Sequence, residues 1–338
     1  MHEGSWSRHD GRAPKRDGVT AAWPAATVAA TSVLQVVLVV VGGPLLVGLM
    51  RKVRCRLEGR VGPPIRQPLL DLRKLARRER TRPDQASWVF SLAPLVLVGT
   101  TLVIAAVAPL LTTDPAFGWY ADLFAVVYLL LLGSVALALG ALDTGTAFGG
   151  MGASRAMTIG AIAEPALLLA ILALSVPAHS SDLPAIVSGS LAHPIWLATP
   201  QRLLALVAFV IVIVAESGRL PVDNPSTHLE LTMIHEAMIL EFAGSDLALV
   251  KLGESMRLAV MVALLADLFV PWGIATAPGP AHLAVGLVAI VAKVAVLGVV
   301  LAAFEVAVAK LRLFRVPELM AGAFVLAVLA VVSSLVTP

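Results

Sequence analysis

Seven of the chain's 22 carboxylates fall within residues 216–256, between two apolar runs: Glu216, Asp223, Glu230, Glu236, Glu241, Asp246 and Glu254. Four more ionisable groups, Glu164, Asp267, Lys293 and Glu305, lie in or beside long apolar runs. A carboxylate taken out of water can be tuned to load and release protons near neutral pH, so this collection suits a proton or ion relay. The plainer alternative for the four isolated groups is ion pairing between helices, because an unpaired charge in a membrane is costly. Which of them pairs with Lys293 is left open by the sequence.

Within the acidic stretch, Pro221 and Pro225 interrupt any continuous helix, and the DNPS segment reads as a turn in which Asn224 or Ser226 caps the next helix. Residues 227–243 then carry a helical pattern. Glu230 and Glu241 are eleven residues apart, so at about 100° per residue they share one face, while His228 and His235 take roughly the opposite face and Glu236 a third direction. Such a row descends a helix as a ladder. It does not converge as a metal cage does, and the HExxH spacing is absent. His179 and His193 stand 14 residues apart with no third strong ligand near them. The single cysteine, Cys55, can form no internal disulfide and cannot by itself hold an iron–sulfur cluster or tetrahedral zinc.

The elements that must position these groups are membrane helices. The 338 residues are 58% hydrophobic and only 14% charged, with a mean hydropathy of +0.89, against about 25% charged residues in an average soluble domain. This predicts an all-α integral membrane protein of about eight transmembrane helices: 25–50, 88–110, 121–141, 157–176, 201–216, 256–271, 281–304 and 316–336. The expected organisation is a polar N-terminal tail, 1–24, and a single transmembrane helical domain, 25–338. The first apolar run is too long for a cleaved signal peptide.

Charge sets the expected orientation. Residues 51–87 carry twelve of the 25 Lys and Arg residues and four acids, the pattern of a cytoplasmic loop that also meets anionic headgroups. Placing it in the cytoplasm puts loops 142–156, 217–255 and 305–315 there as well, with both chain ends outside. The opposite loops, 111–120, 177–200 and 272–280, are nearly free of Lys and Arg. Nucleic-acid binding needs a folded soluble module, which this composition excludes.

Several motifs together resemble a known family. Segment 222–244, VDNPSTHLELTMIHEAMILEFAG, is similar to the membrane subunit of group 4 membrane-bound nickel–iron hydrogenases, including formate hydrogenlyase subunit 4, itself similar to subunit 1 of respiratory complex I. ESGRLPVD resembles a motif of the complex I subunit, with Glu216, Arg219, Pro221 and Asp223 at the matching positions. Segment 58–79 resembles the family's basic first loop through Arg60, Gly62, Pro63, Gln67, Pro68, Asp71 and Lys74. Segment 141–155, with Asp143 and Arg155, resembles the second loop, and 309–318 the approach to the last helix. Ala156 departs from the pattern, which has a glutamate after the loop arginine.

The resemblance implies a complex I subunit 1-like fold and a subunit that anchors hydrophilic redox proteins and links their chemistry to proton or sodium movement. It assigns coupling to Glu164, Glu216, Asp223, Glu230, Glu236 and Glu241. Arg60, Gln67, Asp71, Lys74, Asp143, Arg155 and Arg219 become candidates for docking or charge pairing. It implies no cofactor in this chain. The [NiFe] centre and iron–sulfur clusters would sit in a [NiFe] hydrogenase large subunit, an iron–sulfur small subunit and a ferredoxin-like subunit, with antiporter-like subunits beside it in the cytoplasmic membrane of a bacterium or archaeon. A quinone is possible by analogy with complex I, without support from the residues themselves.

Overall fold

The computed structural model describes residues 25–223, 233–308 and 315–336. The N-terminal tail, Glu230, His228 and the proposed DNPS cap at Asn224 or Ser226 lie outside the described residues. The chain is an all-α, multi-pass membrane protein. Its helices are α1 (Ala25–Leu57), α2 (Gln67–Ala76), α3 (Trp88–Val107), α4 (Leu123–Asp143), α5 (Ala147–Ala178), α6 (Leu183–Ala192), α7 (Pro200–Glu216), α8 (His235–Ile239), α9 (Gly244–Phe269), α10 (Pro280–Ala307) and α11 (Val316–Val336). Among the described residues, α1, α3, α4, α5, α10 and α11 are long and apolar enough to cross a membrane by length and composition. Many of their large apolar side chains are exposed, Val285, Val288, Val296, Leu329 and Leu335 among them, as expected of surfaces that face lipid.

Local chemistry sets the boundaries. Ser87, Asp122 and Thr146 cap α3, α4 and α5 by accepting bonds from the backbone N–H groups of Val89, Phe124 and Gly149. Pro200 and Pro280 open α7 and α10, where a missing N–H costs nothing. The expected span 25–50 continues instead to Leu57, since Arg and Lys sustain a helix once it leaves the bilayer. Gly59, at φ +73°, then lets the chain turn. The loop expected at 51–87 is therefore the end of α1, the helix α2 and short connections. Likewise α9 starts at Gly244, not 256, and α5 at Ala147, not 157. The supposed 177–200 loop contains α6.

Helix α9 forms the axis of the bundle. It packs on α1, α2, α3, α6, α7 and α10, and from Ser255 to Phe269 every residue is buried. A helix apolar on all sides belongs in an interior, yet this one carries Arg257 and Asp267 there. Around it, α5 packs on α4, α7 and α11, and α3 on α4.

The helix expected across 227–243 is not continuous where it is described: α8 covers only His235–Ile239, and Glu241 lies in the turn before α9. Packing overrides propensity there. Phe242 stacks on Phe90 of α3 at 4.3 Å between ring centroids, and Met238, Ile239 and Phe242 join an apolar cluster with α3 and α4. Gly244, at φ +54°, turns the chain into α9 against the Glu79 carbonyl, where a side chain would collide.

Candidate functional site

The ends of α1 and α7, helices α2 and α8, and the first half of α9 enclose a cavity of about 970 Å³. Its floor reaches Gly160 on α5 and Met261 on α9. Residues from all four loop regions expected on one membrane face line it: Arg51 and Asp71, Ala156, Arg219 and Glu254, and Glu305.

The ionisable groups of this wall are tied together. On one side His235 Nε2 lies 2.8 Å from Glu254 Oε1, and Lys251 Nζ lies 3.0 Å from Glu236 Oε1 and 3.9 Å from Glu254 Oε2. Lys251, Glu254 and Arg257 follow at three-residue intervals, so α9 presents them along one side. Deeper, Arg257 Nη2 donates to Glu216 Oε2 at 2.5 Å, with both side chains largely buried. Arg219 Nη1 donates to Glu305 Oε1 at 2.8 Å, fastening the segment after α7 to α10. Glu164 sits one turn below Gly160 on α5. It is 8% exposed, within electrostatic reach of Glu216 and Arg257, and its Oε1 has no hydrogen-bond partner among the described residues.

Other sequence candidates hold the scaffold. Asp223, 2% exposed, accepts from the backbone N–H groups of Ile234 and His235 at 3.2 and 2.9 Å, so it holds the start of α8. Asp143 accepts from Ser87 N, Ser87 Oγ and Phe90 N, so it joins the end of α4 to the start of α3. Arg155 donates to the Met233 carbonyl at 3.0 Å. Gln67 donates to Asp71 at 2.9 Å within α2, while Arg60 and Lys74 are exposed. Glu241 does not line the cavity, and Asp267 and Lys293 pair with each other at 2.8 Å away from it. Sequence reasoning missed Arg257, His235 with Glu254, and Lys251. Arg257 is the second residue of the predicted span 256–271, where a cation reads as the end of a span.

Burial by itself would lower the His235 pKa, but the Glu254 carboxylate against the ring outweighs it and holds the pKa above the ordinary 6.5. A group whose pKa is raised on folding stabilises the fold fully below its unfolded value and loses that contribution as pH rises through the folded value. Thermal unfolding in detergent across pH should therefore show wild type losing an advantage over His235→Gln as pH climbs above 6.5. Parallel curves for the two proteins would show that the ring does not titrate as described.

Among the described residues no group of three or more His, Cys, Asp and Glu side chains is arranged to hold a metal ion. Comparison with known proteins supplies the family. A family model described as NADH dehydrogenase matches residues 29–337. The chain belongs to that family. It is 35% identical to "Hydrogenase-4 component C" of Escherichia coli (strain K12) over 88% of this chain and 92% of that protein. It is 34% identical to "Formate hydrogenlyase subunit 4" of the same organism, over 86% and 94%. A subunit in the structure of the membrane-bound sulfane sulfur reductase, an archaeal respiratory membrane complex, superposes with a TM-score of 0.75 over 91% of this chain and 99% of that one; at 22% identity this shows the shared fold. The hydrogenase and complex I subunit 1 resemblance carried by residues 58–79, 141–155 and 216–244 is thus homology along nearly the whole chain, and the complex I subunit 1-like fold follows, with six described helices long and apolar enough to cross a membrane.

Proposed function

We propose that the chain is the membrane-anchoring and ion-coupling subunit of an energy-converting [NiFe] hydrogenase complex, docking hydrophilic redox subunits and linking electron transfer to proton or sodium movement. The observation that carries this reading is the graded series of ionisable groups: the His235–Glu254–Lys251–Glu236 cluster in the cavity wall, then Glu216 with Arg257, then buried Glu164 with a carboxylate oxygen that has no partner among the described residues. Charged groups buried in membrane helices are costly and mark ion paths. Similarity to the hydrogenase-4 and formate hydrogenlyase subunits over most of both chains supports this branch.

All eight expected spans are used in this reading, with α7 and the buried half of α9 crossing beside the six long apolar helices. The four loop regions are cytoplasmic, supported by their meeting at one cavity and by the basic charge of the first. Hydrogen chemistry then resides in partner chains: a [NiFe] large subunit, an iron–sulfur small subunit, a ferredoxin-like subunit, and antiporter-like subunits within the membrane. Glu305, held by Arg219, extends the network towards α10, and Arg60 and Lys74 are the exposed docking candidates.

The test is Glu164→Gln in the complete complex in proteoliposomes, with hydrogen turnover and ion movement measured together. Turnover should persist while ion movement per hydrogen falls to a small fraction of wild type; an unchanged ratio would sink the coupling role and leave a structural anchor. A second reading, a quinone-reducing complex I-type subunit, is favoured by the cavity volume, which is within the roughly 300–1,000 Å³ of small-molecule sites. Copurification separates the two: a large subunit with paired cysteines for nickel supports the first, flavin- and NADH-binding subunits the second.

A further inference from the structure

Helix α2 has two unlike faces. Pro68, Asp71, Leu72 and Leu75 turn inwards and form part of the cavity wall. Arg66, just before the helix, then Leu70, Arg73 and Arg77 are spaced at intervals of four, three and four residues, so they form one outward stripe, and all four are exposed. Three guanidinium groups thus surround an exposed leucine on a helix whose other side closes the cavity.

The level of this stripe relative to the bilayer can be read from α1. The chain leaves α1 at Leu57 and doubles back, so that the Ile65 carbonyl and the Pro68 ring lie against Gly48; a Cβ built at Gly48 would meet them at 1.9 and 3.1 Å. Only glycine admits this approach. Gly48 is nine residues, or about 13 Å of helix rise, before Leu57. It lies inside the apolar run 25–50, three residues before the first arginine of the basic series. The start of α2 is therefore drawn back to the edge of the hydrocarbon layer. Apolar side chains on the returning segment agree with that depth: Val61 is 97% exposed and Ile65 is exposed beside Arg66.

The geometry points to a binding surface for anionic phospholipids of the surrounding bilayer, formed by Arg66, Arg73 and Arg77 with Leu70 entering the acyl boundary. Arginine forks match phosphate oxygens. An exposed basic row interleaved with apolar side chains at headgroup depth is the chemistry of an interfacial helix. Because the same short helix walls the cavity, lipid held outside fixes the position of Asp71 and Leu72 inside. This inference concerns the outer face of α2 and stands apart from the hydrogenase reading.

The test uses the purified complex in detergent, titrated with phosphatidylglycerol and, separately, phosphatidylcholine, with bound lipid counted by mass spectrometry. Wild type should retain phosphatidylglycerol in preference to phosphatidylcholine, and less of it as salt is raised. The triple variant Arg66→Gln/Arg73→Gln/Arg77→Gln should bind it roughly 100-fold more weakly at low salt, three headgroup-level charges having been removed. The triple lysine variant, which keeps the charge, should retain most of the binding and shows that the site tolerates substitution. Equal phosphatidylglycerol retention by wild type and the glutamine variant overturns the proposal. So does loss of a soluble subunit from the glutamine variant with lipid binding unchanged, which would make the stripe a protein-docking face.

Discussion

Arg257→Met destabilises the protein by about 3–5 kcal/mol, the cost of leaving a buried carboxylate without its cation. The Arg257 guanidinium is bound to Glu216 with both side chains almost out of solvent, and Glu164 lies within its electrostatic field. Removing it leaves two acids facing a low-dielectric interior. Packing is also lost, because the arginine stem lies within the fully buried part of α9. The pair itself adds little net stability, since both partners lose hydration on burial. Arg257→Met combined with Glu216→Leu should therefore recover most of the deficit of the single variant. Thermal unfolding of the purified complex, with yield as a second readout, separates these outcomes; a double variant no more stable than Arg257→Met would show that the loss comes from packing and not from unpaired charge. Ion movement should remain impaired in the restored double variant, because stability and the relay then part company.

How much of the fold is legible in the sequence depends on the kind of signal. Helices α10 and α11 lie within three residues of where hydropathy puts them, because lipid contact demands continuous apolar sequence. Hydropathy places the ends of α1, α5 and α9 too far inside, since a helix does not stop where its residues become polar; it stops where a cap, a glycine or a collision ends it. Asp143, Arg155 and Arg219 read from the loop motifs as candidates for docking or charge pairing, and each holds one element to another. Loop polarity tells of charge and says nothing of partners 53 to 86 residues distant in the chain. Glu164 and Glu216 are conspicuous because each is a carboxylate in or beside an apolar run. Arg257 is not, because its position close to the start of a span looks like an end. The ladder from Glu230 to Glu241 assumes an uninterrupted helix; over the described residues α8 ends at Ile239, and Phe242 stacks on Phe90 just beyond Glu241. That contact joins residues 152 apart and leaves no periodic trace.

The second large effect concerns the pair between α9 and α10. Lys293 Nζ meets Asp267 Oδ1 at 2.8 Å, and Lys293 is the fourteenth of 28 residues in α10, so it is about 20 Å from either end. The situations of the two partners are unequal. Asp267 is 2% exposed on the most enclosed helix, its second oxygen has no hydrogen-bond partner among the described residues, and its short side chain can reach nothing else. Lys293 has a long flexible stem and its side chain is 15% exposed, and after Asp267→Asn the amide oxygen can still accept a hydrogen bond from its amine. Lys293→Met should therefore cost about 3–5 kcal/mol, and Asp267→Asn clearly less, even though they break the same ion pair. Asp267→Leu with Lys293→Met should come close to wild type. Equal losses for the two single variants would show that Lys293 is as confined as Asp267. The double variant also decides what the pair is for: stable protein with normal ion movement makes it a clasp for α10, whereas stable protein with uncoupled hydrogen turnover places it in the ion path, outside the cavity wall.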